Sequence, residues 1–167
     1  MITEKMHKAI NEQINKELYS AYLYLSMAAF FEDSNLPGFG KWLRMQAAEE
    51  QEHAMKFFDH LVERGAKVEL KAIDAPTATW KSYLEVFKQV QEHESFVTAS
   101  INALFEIAQQ EKDYPAQVLL HRAGSVAPLR EQVDAVLPIA GNLVDQARVE
   151  DEFRFQDSRR RRRLLRV

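Results

Sequence analysis

Three stretches of the chain carry an apolar residue at every third or fourth position, and in each a glutamate interrupts the stripe near its middle. The first reads Met6, Ile10, Ile14, Glu17, Ala21, Tyr24, Ala28. The second reads Leu43, Ala47, Glu50, Ala54, Phe57, Leu61, and the third Phe87, Val90, Glu94, Val97, Ile101, Leu104, Ala108. Alternating steps of three and four keep side chains on one face of an α-helix, and stripes of this length demand burial against other helices. A carboxylate in such a stripe is costly to bury unless it is paired or binds a cation. His53 follows Glu50 by three residues, one turn along the helix, where the two can share a ligand. Taken singly, each glutamate reads more readily as a rim residue whose carboxylate reaches water. Three at similar depth, one of them in Glu-x-x-His, point to a metal site instead.

Local signals set the helix limits. Thr3 is the N-cap of a first helix running to about Phe31, followed by the turn-rich Glu32 to Gly38. A second helix opens at Pro37 or Gly38 and closes at Gly65. The third is expected from about Thr79 and Trp80 to about Lys112, and Asp113-Tyr114-Pro115 opens a fourth. Between Ala66 and Thr79 no helical pattern occurs. About 14 extended residues reach roughly 45 Å, and a helix of about 28 residues is roughly 42 Å long. The connection can therefore run the length of the second helix and set the third parallel to it. The expected fold is all-α, a four-helix bundle with one long crossover between helices two and three.

The fourth segment starts regularly at Val118, Leu119, Leu120 and Ala123, then meets Gly124, Pro128, Pro138 and Gly141. An interior proline costs about 3 kcal/mol and a backbone hydrogen bond. A break around Gly124 to Pro128, a short helix through Leu137 and a weak one near Asn142 to Phe155 are expected. On that basis residues 1–156 form one bundle domain with an irregular C-terminal segment, and 157–167 form a disordered basic tail. Six arginines fall between Ser158 and Val167, which leaves 16 basic against 25 acidic side chains, a net of −9, on the rest. The run Arg159 to Arg163 could bind phosphates. Without stacking aromatics or a DNA-binding fold around it, it reads as a solvated tail rather than a nucleic-acid site.

The chain has no cysteine, so a metal must be held by carboxylate and imidazole, which favours iron or manganese over a structural zinc. It shows no apolar signal core and no run of about 18 apolar residues, so a cytoplasmic location is expected and no membrane partner. His7, His60, His93 and His121 lack a comparable set of partners and read as solvated or structural.

Four stretches then carry a family resemblance: Asn11-Glu12-Gln13-Ile14-Asn15-Lys16-Glu17-Leu18-Tyr19-Ser20 with Tyr22-Leu23-Tyr24; Gln46-Ala47-Ala48-Glu49-Glu50-Gln51-Glu52-His53-Ala54; Glu92-His93-Glu94; and Glu111-Lys112-Asp113-Tyr114-Pro115. Over about Met1 to His121 the chain resembles the non-haem bacterial ferritins. The resemblance implies a ferritin-like bundle assembled as a homo-oligomer, a hollow shell of 24 subunits. Such a shell oxidises Fe(II) with oxygen or peroxide at a di-iron centre and stores the ferric mineral. Carried over by position, Glu17 and His53 would ligate the first iron, Glu50 would bridge, and Glu94 would ligate the second. Tyr24 would be a hydrogen-bonding or redox-active neighbour, and Glu49 would contribute to a third, weaker site.

The resemblance fails in the fourth helix, where Ala127 and Arg130 stand in place of an expected Gln and Glu, with Glu131 one residue beyond. Arginine cannot ligate iron. A shell subunit that stores iron but oxidises it poorly is the alternative to a full ferroxidase. A bundle that reduces oxygen or peroxide without storage is a third, disfavoured by the crossover and by the lack of a rubredoxin-like cysteine domain.

Overall fold

The computed structural model describes residues 2–123 and the single positions 138 and 141. Four helices account for most of them: α1 Glu4–Asp33, α2 Pro37–Glu63, α3 Tyr83–Gln110 and α4 Tyr114–Ala123, with no strand among the described residues. The expected break near Gly124 to Pro128, the helices beyond it and the basic tail lie outside the described residues, as do Ala127, Arg130 and Glu131.

The N-cap of α1 is Thr3, whose hydroxyl oxygen accepts from the Met6 amide at 3.3 Å. Asn35, at φ 57°, turns the chain into Pro37, the first residue of α2. Past the end of α2 the chain turns at Gly65 with φ +64°, a conformation glycine adopts without a Cβ penalty. Helix α3 begins at Tyr83, later than Thr79 and Trp80, because Ser82 and Glu85 cap it. The Ser82 hydroxyl accepts from the Glu85 amide at 3.2 Å, and Glu85 Oε2 accepts from the Lys81 amide at 2.6 Å. Trp80 stays outside, its ring centroid 5.2 Å from that of Phe30 and its indole N–H donating to Gln89 at 2.6 Å.

After α2 the chain runs back along α1 as a strap held by side chains of that helix. Asn15 Nδ2 donates to the Ala72 carbonyl at 3.1 Å, and the Ser26 hydroxyl to the Thr77 carbonyl at 2.6 Å. Asn11, only 4% exposed, donates to the carbonyls of His7 and Lys67 and accepts from the Glu69 amide at 2.7 Å. Four backbone groups of this connection, the Lys67, Ala72 and Thr77 carbonyls and the Glu69 amide, thus pair with side chains of α1, which pins so long a strap to the bundle without a helix or a sheet. Asn11→Ala should leave the Glu69 donor and the Lys67 acceptor less well paired and destabilise the chain by about 1–3 kcal/mol. A denaturant midpoint unchanged from that of the native chain would show that the strap holds itself.

The strap brings the chain to the far end of α1, where Tyr83 stacks on Phe31 with ring centroids 5.7 Å apart. Helix α3 then descends antiparallel to α1, past His93 against Ser20, to Gln110, which accepts from Lys5 at 3.0 Å. Helices α2 and α3 are therefore parallel and diagonal. The backbone of each lies against α1 and α4, while across the diagonal only side chains meet, Phe39 and Trp42 of α2 against the Phe87 ring of α3 at 5.3 and 6.0 Å. Asp113 ties the start of α4 to the end of α2. Its Oδ1 accepts from the Ala116 amide at 3.1 Å, and both carboxylate oxygens accept from Arg64 Nη1, at 2.8 and 2.6 Å. His60 sits 3.3 Å from the same nitrogen, its pKa held down by burial and by the Arg64 charge, so it has a structural place.

Candidate metal centre

The apolar interior is divided into two. One cluster centres on Tyr24, Phe31, Leu43, Phe87 and Val90, the other on Met6, Ile10, Ile14, Phe57, Leu61, Ile101 and Leu104. On each of α1, α2 and α3 the glutamate lies in sequence between residues of the first cluster and residues of the second. The three carboxylates thus meet at one level of the bundle, in a polar layer between two dry ones. Glu17 is 2% exposed, and Glu50 and Glu94 are each 4% exposed.

Glu17, Glu50 and His53 each offer a ligand atom within 4.8 Å of the others. His53 Nδ1 lies 3.5 Å from Glu50 Oε2. Glu94 stands outside that close set but within electrostatic reach of Glu17 and Glu50. Tyr24, wholly buried, donates its hydroxyl hydrogen to Glu94 Oε1. Gln13 Nε2 donates to Glu17 Oε1 at 2.7 Å. One oxygen of each of these two carboxylates is thereby engaged, and the other is not. Glu17 Oε2, Glu50 Oε2 and Glu94 Oε2 are all buried without a hydrogen-bond partner. Orphaned buried acceptors on three neighbouring carboxylates are what a cation would satisfy, and oxygen with imidazole is a donor set suited to iron.

The electrostatics carry the same strain. Burial, then the Glu50 carboxylate, push the Glu17 pKa up to about 9. Burial also pushes Glu94 up to about 7, against the pull of the Tyr24 hydroxyl. In Glu50 burial acts upward but is outweighed by His53 and Glu17, and the carboxyl sits below its ordinary value. Burial and Glu94 raise the Tyr24 phenol well above its usual range, so it stays a donor. A protein without metal thus keeps Glu50 ionised and Glu17 neutral at pH 7.

His93, expected to be solvated or structural, has a structural place: it is half-buried, with Nε2 2.7 Å from the Ser20 hydroxyl and its ring edge-on to Tyr24 at 6.0 Å. Gln13 and Ser100 were not singled out, although both are buried polar residues, Gln13 bonded to Glu17 and Ser100 to Gln13. Glu49, which the resemblance placed in a third site, is exposed, though its charge reaches Glu94.

Residues 7–125 match the sequence profile of the ferritin-like domain. The chain belongs to the ferritin family. Among ferritin relatives, the bacterial non-heme ferritin of Bacteroides fragilis (strain 638R) is 42% identical over 120 residues, covering 72% of this chain and 76% of that protein. The bacterial non-heme ferritin of Campylobacter jejuni (serotype O:2) is 44% identical over 114 residues, 68% of either chain. Among solved ferritins, an open pore ferritin from Archaeoglobus fulgidus superposes with a TM-score of 0.80 at 44% identity, covering 83% of this chain and 86% of that one. A closed form of the same ferritin, engineered by site-directed mutagenesis, gives 0.71 at 43% identity, over 91% and 89%. The all-α, ferritin-like bundle expected from the sequence is the fold observed. Among the described residues no helix is long and apolar enough to cross a membrane.

Proposed function

We propose that this ferritin stores iron and oxidises it, taking Fe(II) as substrate at a two-ion centre made by Glu17, Glu50, His53 and Glu94. The observation that carries the proposal is the set of three unpartnered carboxylate oxygens in a buried layer next to His53. Glu50 would bridge the two ions, a role supported by its ionised carboxylate, its closeness to Glu17 and its electrostatic interaction with Glu94. Gln13 and Tyr24 each hold one oxygen of a neighbouring carboxylate and leave the second for an ion. Two Fe(II) ions held together can give one electron each to dioxygen or peroxide. Carboxylate donors favour the Fe(III) that results, and the acidic body draws further Fe(II) to it.

Tyr24 would act here as the donor that fixes Glu94. Storage requires a shell of many copies. Tyr22, Leu25, Leu70 and Ile73, exposed on α1 and on the strap along it, supply apolar surface for such self-association.

A weakly catalytic storage subunit is the second reading, and the observation behind it is that Glu94 stands apart from the close set of Glu17, Glu50 and His53. The deciding experiment adds about two Fe(II) per chain to metal-free protein in air and follows ferric absorbance, with Glu17→Ala as control. Fast oxidation lost in the mutant supports the ferroxidase. One tightly held ion with slow turnover supports the storage subunit, and oxidation indifferent to Glu17 removes both roles from this centre.

A further inference from the structure

Glu17 is not oriented by its own helix alone. A chain of hydrogen bonds runs to it from the surface: Lys16 Nζ donates to Ser100 Oγ at 2.6 Å, Ser100 Oγ donates to Gln13 Oε1 at 2.7 Å, and Gln13 Nε2 donates to Glu17 Oε1 at 2.7 Å. Gln13 has no exposed surface and Ser100 is 8% exposed. Lys16 lies with its ammonium 5.6 Å from the centre of the Phe96 ring, a second contact that keeps it over Ser100.

The order of donors in this chain is imposed from its outer end. An ammonium group can only donate. Ser100, having accepted from Lys16, has its single O–H left to give, and the acceptor within reach is Gln13. Once the amide oxygen of Gln13 is engaged there, its N–H group must face Glu17. Glu17 alone could not impose that order, because a protonated carboxyl could equally donate to an amide oxygen, whereas a carboxylate requires the N–H. The amide therefore stands ready for the charged form of Glu17, and it does so through Glu17 Oε1 while Oε2 stays unpartnered.

We propose that Gln13 is a positioning residue for metal uptake: it selects Oε2 of Glu17 as the oxygen offered to the ion, and Lys16 acting through Ser100 keeps its amide in the donating orientation. The inference rests on Glu17 being a metal ligand. Outer hydrogen-bond partners of metal ligands are worth about 10–100-fold in affinity, and an effect of that size is expected here. None of Lys16, Ser100 and Gln13 is among the proposed ligands, so the effect expected is on binding and geometry rather than on redox chemistry.

The test is Co(II) binding to the metal-free, full-length protein, read both as a dissociation constant and as the intensity of the Co(II) d–d absorption, which reports ligand geometry. Gln13→Leu and Ser100→Ala should each weaken the tighter-bound ion about tenfold or more and alter the absorption, and Ser100→Thr, which keeps the hydroxyl, should restore both. Ser100→Ala removes the outer bond without touching the Glu17 contact, so it serves should Gln13→Leu fold poorly. Native affinity and spectrum in Ser100→Ala, with binding still abolished by Glu17→Ala, would overturn the positioning role and leave the metal site standing. Co(II) binding in the native chain that is indifferent to Glu17→Ala would overturn both.

Discussion

Replacing Glu50 by leucine is expected to make the metal-free protein more stable and to abolish its response to metal. Glu50 occupies a position that the α2 stripe would otherwise give to an apolar residue, between the two hydrophobic clusters. It is 4% exposed, remains ionised, and has one oxygen without a hydrogen-bond partner. Burial of a charge costs several kcal/mol; His53 and Glu17 offset that cost for the Glu50 carboxylate, as its lowered pKa records. Exchange of buried ionic groups for apolar ones of similar size can still stabilise by about 1–4 kcal/mol. For a chain of this length each kcal/mol moves the melting temperature by about 2–4 °C, so Glu50→Leu should melt several degrees higher when metal-free. Added Co(II) should raise the melting temperature of the native chain, because an ion that binds only the folded state stabilises it by mass action. The Leu variant should show no such rise. Glu50→Gln, which removes charge but keeps shape, should lose the metal response with a smaller gain in stability. A metal-free Glu50→Leu protein that melts below the native chain would mean that Glu50 serves as a structural partner of His53, and the assignment of this layer to a cation would fall.

That expected exchange of stability for binding also explains why so much of this molecule was legible in its sequence. A stripe with steps of three and four has few folded solutions. Every residue of the α2 stripe from Leu43 to Leu61 and of the α3 stripe from Phe87 to Ala108 is buried, and on α1 only Ala21 is partly exposed. The glutamates stood out because they break a rule that the surrounding residues obey, and such breaks mark sites where function overrides packing. The crossover was legible as an absence of pattern joined to a reach argument. The side-chain ties that make it stable were not, because Asn11, Asn15 and Ser26 look like ordinary helix-surface residues until the strap lies on them.

The start of α3 was misplaced for a different reason. Trp80 extends the apolar pattern backwards, while the signal that decides, Ser82-x-x-Glu85, is a cap spacing that periodicity ignores. Gln13 and Ser100, and the partners of His93, were not legible because the contacts are made between different helices. Gln13 meets Ser100 of α3, and His93 meets Ser20 of α1, and no spacing within one helix encodes which faces of two helices will meet. Gln13 had one local clue, its position four residues before Glu17, the interval at which an amide can reach a carboxylate one turn on.

The second large effect is on pH, and it has opposite signs for stability and for metal uptake. Glu17 and Glu94 have folded-state pKa values raised, chiefly by burial, to about 9 and about 7 from 4.5. The native metal-free chain therefore retains two protons that the unfolded chain releases above pH 4.5. Where the native state binds more protons, stability falls as pH rises. The contribution of both groups is fully present below pH 4.5. It declines along both between 4.5 and about 7, then along Glu17 alone until about 9. Glu50, whose pKa is lowered, acts in the other sense and contributes stability that is lost only as pH falls below 4.5.

A cation, by contrast, needs the carboxylates ionised, so its binding must expel the protons that burial retains. Filling both positions should release about two protons per chain near pH 6, about one near pH 8 and none well above pH 9, with affinity rising over the same range. Calorimetric titration with Co(II) in buffers of different ionisation enthalpy counts those protons directly. Release of the same number at pH 6 and pH 8 would mean that Glu94 does not titrate between them, and with it would go the case for Glu94 as the ligand of the second ion. Release of one fewer at pH 8, with that difference lost in Glu94→Gln, would identify Glu94 as the group that opens that position and separate it from the proposed imidazole ligand His53, whose side-chain type also titrates in this range.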